Sequence, residues 1–290
     1  MTEKTRSETQ ESTGTGLVLV TSGTGRTGRR VVERLTARGV PVRVGSRRSE
    51  IPFDWSDPSG WEAALSGAEA AYVAYAPDLG APGAAAAMTA FGEAARRCGV
   101  RRLVLLSGRG EPDAAAAEEA LRAAAGNAEL TVMRAAFFTQ NFSEGAMLDG
   151  VLGGELVFPA GDTAEPFVDA DDLADVAAAT LCGEGAPGTV VELTGPRALT
   201  FAEVAAEIAA ATGRKVRYVA VTGGEYEEML VGFGVPREEA AFLAGLFTTL
   251  LDGRNAAVTD GVKRVLGRDP KSFTQYATEA AQEGFWSVRP

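Results

Sequence analysis

A short apolar run, Leu17-Val18-Leu19-Val20, leads into the turn Ser22-Gly23-Thr24-Gly25-Arg26-Thr27-Gly28. A segment with helical apolar spacing follows, with Val31, Val32 and Leu35 on one face and Gly39 at its end. Nothing else in the chain restricts the fold as strongly. The apolar run suits a strand buried on both faces. A G-x-G-x-x-G turn between strand and helix is the setting in which glycines serve a dinucleotide. The first allows a tight bend, the second lets a pyrophosphate approach, and the third lets helix and strand pack closely. The helix tip adds unpaired N–H groups and partial positive charge. Gly23, Thr24, Gly25, Arg26, Thr27 and Gly28 therefore read as a phosphate cradle, with an ordinary tight turn as the alternative.

The same alternation continues downstream. PVRVGS, AAYVAYAP, RRLVLLSG and ELTVMRA read as strands, and WEAALSG, APGAAAAMTAFGEAARRCGV and DAAAAEEALRAAAG as helices. A short further strand is expected just before Asp54. Strands alternating with helices predict an α/β fold with a doubly wound parallel Rossmann sheet, whose strand C-termini share one ligand-binding edge. After Ala135 the alternation loosens. DADDLADVAAATL and TFAEVAAEIAAATG read as helices, the second with Thr200 and Glu203 as a capping box. TVVELTG and KVRYVAVT read as strands, and SFTQYATEAAQEGFW as the last of several closing helices. The expected organisation is a polar, disordered tail over 1–16 and a dinucleotide-binding domain over 17–150. Segments 167–195 return to that domain, and a smaller, mostly helical substrate lobe takes 151–166 and 196–290.

Composition narrows the function classes. The 290-residue chain has a formal net charge of -11, which disfavours direct binding to nucleic acid or anionic membranes. It contains no histidine and two cysteines, Cys98 and Cys182, without CxxC spacing, so neither a metal site nor a disulfide framework is expected. Without histidine, proton chemistry falls to carboxylates, hydroxyls, tyrosines, lysines or water. No signal peptide or membrane-length apolar run is visible, so a cytoplasmic location is expected.

The end of the second strand discriminates between cofactors. An acid there would hold the 2′-hydroxyl of NAD, but the chain reads Ser46-Arg47-Arg48. Two guanidiniums suit a 2′-phosphate, so NADP(H) is the expected cofactor; solvated surface arginines are the alternative. Asp54 suits either an adenine amino group or a turn beside Trp55.

The glycine turn, Arg47, VMRAAFFTQNF, EPFVDADDLADVAAATL and VTDGVKRVLGRDPKSFTQYA together resemble the NmrA-like family of atypical short-chain dehydrogenases/reductases, from about Leu17 to the C-terminus. Two departures stand out. Ser22 occupies the place of the first glycine in the family's G-A-T-G-x-x-G. The superfamily's Tyr-x-x-x-Lys pair is also absent: none of Tyr72, Tyr75, Tyr218, Tyr226 or Tyr276 has a lysine four residues on.

By position, Ser107 matches the superfamily's serine, or serves as a strand-end turn residue. Asn141 reads either as a ligand to carboxamide or acceptor oxygen, or as a helix cap. Ser107, Asn141 and Tyr226 are the catalytic candidates. Tyr75, Ala76, Pro77, Phe137 and Phe138 are expected beside the cofactor. Phe138, Asn141, Phe142, Tyr226, Met229, Phe233 and Phe247 are expected around an apolar or aromatic small-molecule substrate, with structural core as the alternative for the aromatic stripe.

The expected function is an NADPH-dependent reductase of a small aromatic, quinone-like or conjugated carbonyl metabolite, with natural-product tailoring as one setting. Hydride addition to such an acceptor leaves a delocalised anion, which makes less demand on a proton donor. Two alternatives stay open. One is a non-catalytic NADP-binding redox sensor with a protein partner, which the resemblance implies. The other is an isomerase or cyclase on the same scaffold.

Overall fold

The computed structural model describes residues 15–185 and 187–287. Of the expected tail, residues 1–14 lie outside the described residues. Along the first half, β1 (Val18–Val20), α1 (Arg26–Ala37), β2 (Val42–Val44), α2 (Trp61–Leu65), β3 (Ala70–Val73), α3 (Ala84–Arg97), β4 (Arg102–Gly108), α4 (Pro112–Ala124) and β5 (Glu129–Ala135) alternate as the apolar pattern predicts. The strand expected before Asp54 does not form. Asp54 makes only an isolated bridge to Asp57, and its carboxylate accepts from the Ser56 N–H (2.9 Å) and hydroxyl (2.8 Å). A side chain that satisfies the backbone two residues on favours a turn over a ladder.

The second half contains α5 (Leu148–Gly153), β6 (Glu155–Phe158), β7 (Ala164–Glu165), α6 (Ala170–Leu181), β8 (Val190–Leu193), β9 (Leu199–Thr200), α7 (Phe201–Thr212), β10 (Arg217–Ala220), α8 (Gly223–Gly232), α9 (Arg237–Leu250), α10 (Gly261–Leu266) and α11 (Phe273–Gln282). The capping box of Thr200 and Glu203 starts α7 as anticipated, and Thr222–Glu225 and Ser272–Gln275 do the same for α8 and α11.

Six strands form one parallel sheet in the order β2-β1-β3-β4-β5-β8. Strand order reverses at β1, so the crevice between the C-terminal ends of β1 and β3 is the switch point where such sheets bind ligands. Side chains alternate across the sheet. Leu19, Ala71, Val73, Leu103, Leu105 and Val132 face one core, under α2, α3 and α4. Val18, Val20, Tyr72, Val104 and Met133 face the other, under α1 and α6. Helix α10 joins that second core through Val262 and packs on α6 and β8. A third core gathers α5, β6, α7, α8, α9 and α11 around Phe158, Phe167, Phe201, Phe273 and Trp286. It already includes Phe142 and Met147, ahead of the expected boundary at 150.

The acidic start of α6 ties these layers together. Asp169 caps the helix by accepting from the Asp171 N–H at 2.7 Å. Asp171 pairs with Arg30, Arg34 and Lys271, and Asp175 with Arg34 and Arg268. The buried Asp172 accepts from Arg268 (2.6 Å) and from the Lys271 N–H (2.7 Å).

Candidate active site

The glycine turn bends as the motif requires, through an unexpected residue. Ser22 has φ +48°, the left-handed backbone that glycine adopts freely and L-residues adopt at a cost. Its hydroxyl donates to the Ala74 carbonyl at 2.8 Å, and the Gly25 N–H donates to the Ser22 carbonyl at 2.8 Å. Serine thus takes the glycine-like conformation and is pinned to the end of β3.

The three glycines meet different constraints. A Cβ on Gly28 would lie 2.2 Å from the Ser22 carbonyl oxygen, and one on Gly23 would lie 2.9 Å from that of Val20. On Gly25 it would meet only the Ser22 carbonyl, at 3.1 Å. Gly23 and Gly28 are therefore needed for packing, whereas Gly25 keeps the approach to the helix tip open. No side chain caps the N-terminus of α1. Uncapped N–H groups behind an open glycine suit an anionic ligand.

A cleft of about 1010 Å³ lies over this turn and the C-terminal ends of β3, β4 and β5. Its floor includes Ser22, Gly25, Arg26, Thr27, Ala74 and Ser107, and Tyr75, Phe137 and Phe138 add aromatic wall. Helix α9 roofs it with Phe242, Leu243, Leu246, Phe247 and Leu250, a stripe at the i, i+4 spacing of one helix face.

The residues expected from sequence separate into groups. Gly25, Arg26, Thr27, Tyr75, Ala76, Pro77, Ser107, Phe137, Phe138, Asn141 and Phe247 line the cleft. Gly23 and Gly28 are buried beneath the turn, and Thr24 is exposed at its tip. Arg47 and Arg48 are exposed just past β2 beside the partly buried Ser46, whose hydroxyl meets that of Ser49 at 2.8 Å. Asp54 is committed to its turn.

Several expected pocket residues do not reach the cleft. Phe142 is fully buried in the third core, against Phe167, Phe201 and Phe273. Tyr226 stands behind Phe247 and against Phe158, where burial pushes its hydroxyl up to about 12. Met229 packs on the third core, and Phe233 is 79% exposed after α8. An aromatic stripe looks the same whether it faces a core or a pocket, and here only the α9 part faces the pocket.

Asn141 does not cap a helix; its Oδ1 accepts from Arg26 at 2.5 Å and so holds that guanidinium over the turn. Burial lowers the Arg26 pKa from its ordinary value. The Ser107 hydroxyl donates to Glu118 at 2.6 Å, and Arg134 closes on the same carboxylate (2.6 Å).

Two carboxyl groups of the cleft were not singled out from the sequence. Glu111 follows β4, and its carboxylate folds back over Gly108, where a Cβ would lie 2.0 Å from it. Burial, then the charges of Asp78, Asp113 and Glu118, push Glu111 up to about 7. Glu165, on β7, is 4% exposed and accepts from the Phe137 N–H at 3.4 Å. Burial pushes it too up to about 7, against the pull of that N–H and of Arg109. Both line the cleft. The absence of histidine pointed towards carboxylates, but only the fold brings these two together. Among the described residues, no cluster of His, Cys, Asp or Glu could hold a metal, and no helix is long and apolar enough to cross a membrane.

No protein-family model matches the chain. An uncharacterized oxidoreductase of Bacillus subtilis (strain 168), YesF, is 33% identical over 93% of this chain and 96% of its own length. The chain belongs to this oxidoreductase family. An NAD(P)H azoreductase of Xenophilus azovorans is 30% identical, over 90% of this chain and 96% of its own. The NADPH-dependent quinone oxidoreductase QOR2 of Escherichia coli, crystallised with NADPH, shares the fold of this family member. Its TM-score is 0.76 at 20% identity, covering 90% of this chain and 99% of that one.

Proposed function

We propose that the chain is an NADPH-dependent reductase of a small, conjugated aromatic acceptor, quinone-like in its electron deficiency, and an NmrA-like member of the atypical short-chain dehydrogenases/reductases. The observation that carries this is the opening of the glycine turn and the aromatic roof of α9 onto one cleft. A dinucleotide held at the first would present its reactive ring beneath the second. Gly25, Thr27 and the tip of α1 would hold the diphosphate, Arg26 would be steered by Asn141, and Arg47 and Arg48 would take a 2′-phosphate. Bound reduced nicotinamide supplies the hydride.

The protein's own part is to exclude water with Phe137, Phe242 and Phe247, to stack the acceptor, and to hold Ser107 in one orientation through Glu118. An azoreductase relative and a quinone oxidoreductase of the same fold are in keeping with an acceptor of this kind. The sensor and isomerase alternatives have no observation of their own in their favour.

Calorimetry is the direct test. NADPH is expected to bind at least tenfold more tightly than NADH, and R47A/R48A to erase most of that preference, since each charge-assisted phosphate contact contributes roughly 1.5–3 kcal/mol. Tighter NADH binding by the unaltered protein would overturn the cofactor assignment. Loss of NADPH absorbance with 1,4-naphthoquinone tests the reductase itself.

A further inference from the structure

Two ionisable side chains meet the end of β5 inside the cleft. Arg109, just past β4, is tied there by its backbone N–H, which donates to the Ala135 carbonyl at 3.0 Å. Its side chain is 9% exposed. Nε donates to Glu192 (3.0 Å), and one Nη donates to the carbonyls of Asn255 (2.7 Å) and Ala257 (2.8 Å). The other Nη makes no hydrogen bond among the described residues, and Arg109 lines the cleft.

Glu165 reaches the same strand end from β7. Pairing with Leu199 of β9 fixes its backbone, and Leu199 and Phe167 are rooted in the third core. The 3.4 Å bond from the Phe137 N–H is the carboxyl's one hydrogen bond among the described residues, although Glu165 is buried. A buried carboxyl so short of donors favours its protonated form. The ion pair of Arg109 is with Glu192, not with Glu165, yet Glu165 feels its charge.

We propose that Glu165 protonates the acceptor as it is reduced, while Arg109 holds the oxygen that receives the proton. The pair thus does the work of the absent tyrosine and lysine. The inference rests on the reductase reading and supplies its proton donor. The acceptor takes the hydride of the reduced nicotinamide at one end of its conjugated system, as a new C–H or O–H bond. The displaced π pair withdraws to the carbonyl oxygen at the other end. There the Glu165 O–H bond breaks and a new O–H bond forms. The acceptor is reduced by two electrons, the dinucleotide is left oxidised, and Glu165 is left as a carboxylate that regains a proton from solvent once the product leaves.

Glu165 suits this exchange better than Glu111. Burial raises it to about 7, while the Phe137 N–H and Arg109 favour the carboxylate that the reaction leaves behind. The charges nearest Glu111 are those of Asp78, Asp113 and Glu118, and all oppose its ionisation. Arg26 at the turn and Glu238 and Glu239 on α9 complete the charges that share the cleft. A general acid is most effective when its pKa lies near the working pH.

The test follows kcat/KM for 1,4-naphthoquinone with NADPH from pH 6 to pH 9. The unaltered protein is expected to hold its rate below about pH 7 and to lose about tenfold per pH unit above it. E165Q, checked for folding by thermal melting, is expected to be at least tenfold slower at pH 6 and flat throughout, because an amide donates a hydrogen bond but no proton. In R109Q the break is expected to move to higher pH, since loss of the cation makes the acid harder to ionise, and this carries the same reading should E165Q not fold. Y75F is expected to keep the break whatever it does to the overall rate. An infrared pH titration of the full chain reads the acid without turnover: one protonated-carboxyl signal that titrates near pH 7 is expected to vanish in E165Q and to remain in E111Q.

A smaller loss in folded E165Q, or a break that survives in it, overturns the inference and leaves the reductase reading standing on naphthoquinone turnover. If NADPH is not oxidised at any pH, both fall.

Discussion

Gly25 and Gly28 are identical in sequence yet separable by function. Gly28→Ala drives a methyl into the Ser22 carbonyl, so the turn must open. We expect a loss of at least 2 kcal/mol in stability and no measurable NADPH binding, read by thermal melting and calorimetry. Gly25→Ala meets only a 3.1 Å contact inside the protein. Its melting temperature should stay within a few degrees, while NADPH affinity falls at least tenfold because the new Cβ stands where a diphosphate approaches. Equal damage to stability from both variants would remove the functional reading of Gly25. Ser22 shows the limit of motif matching. Position and spacing mark it as a departure from the glycine pattern, but the backbone at +48° and the bond to Ala74 restore the same bend. Neither is visible in the letters.

At the scale of elements, the segments most reminiscent of a family explain structure more than chemistry. EPFVDADDLADVAAATL supplies the acidic start of α6, and VTDGVKRVLGRDPKSFTQYA supplies Arg268 and Lys271, which close on it. Asp172→Ala leaves the Lys271 N–H and the Arg268 guanidinium without their buried acceptor, and should cost about 2–3 kcal/mol in denaturant unfolding. A change under ~0.5 kcal/mol would mean that the clamp adds little.

Legibility followed the range of the forces involved. β1 and β3 to β5 were readable because apolar runs and caps are local, and so was the capping box of α7. The strand before Asp54 failed because a two-residue side-chain bond captured the backbone. Phe142 and Tyr226 miss the cleft because a run of aromatics after a strand, or along a later stretch, does not say whether a core or a pocket meets it. Glu111 and Glu165, 54 residues apart in number, share a cleft only once β7 brings Glu165 to the Phe137 N–H just past β5, so no pattern in the chain could pair them.

For the whole molecule, the two cleft carboxyls set a pH dependence opposite to that of the carboxylates paired with arginine or lysine. Their folded pKa values, about 7, stand above the ordinary 4.5. The folded state therefore holds more protons between those values, and stability contributed by these groups falls as pH rises from about 4.5 to about 7, then levels off. Glu165→Gln removes one such penalty and is expected to raise stability at pH 8 by on the order of 1–3 kcal/mol, with no gain at pH 5. A Tm difference independent of pH would contradict this. Glu144 and Asp171, held below their usual values by arginine and lysine partners despite burial, act in the other direction and lose their contribution only in acid.

The roof has a consequence of its own. Helix α9 meets the cleft with one stripe and the interior with the small Ala240 and Ala244, while the glycine turn belongs to another layer. Exchanging four or five side chains on that single rod would re-tailor what the enzyme accepts without disturbing how it grips its coenzyme. Diversification in such a lineage can therefore proceed one helix at a time.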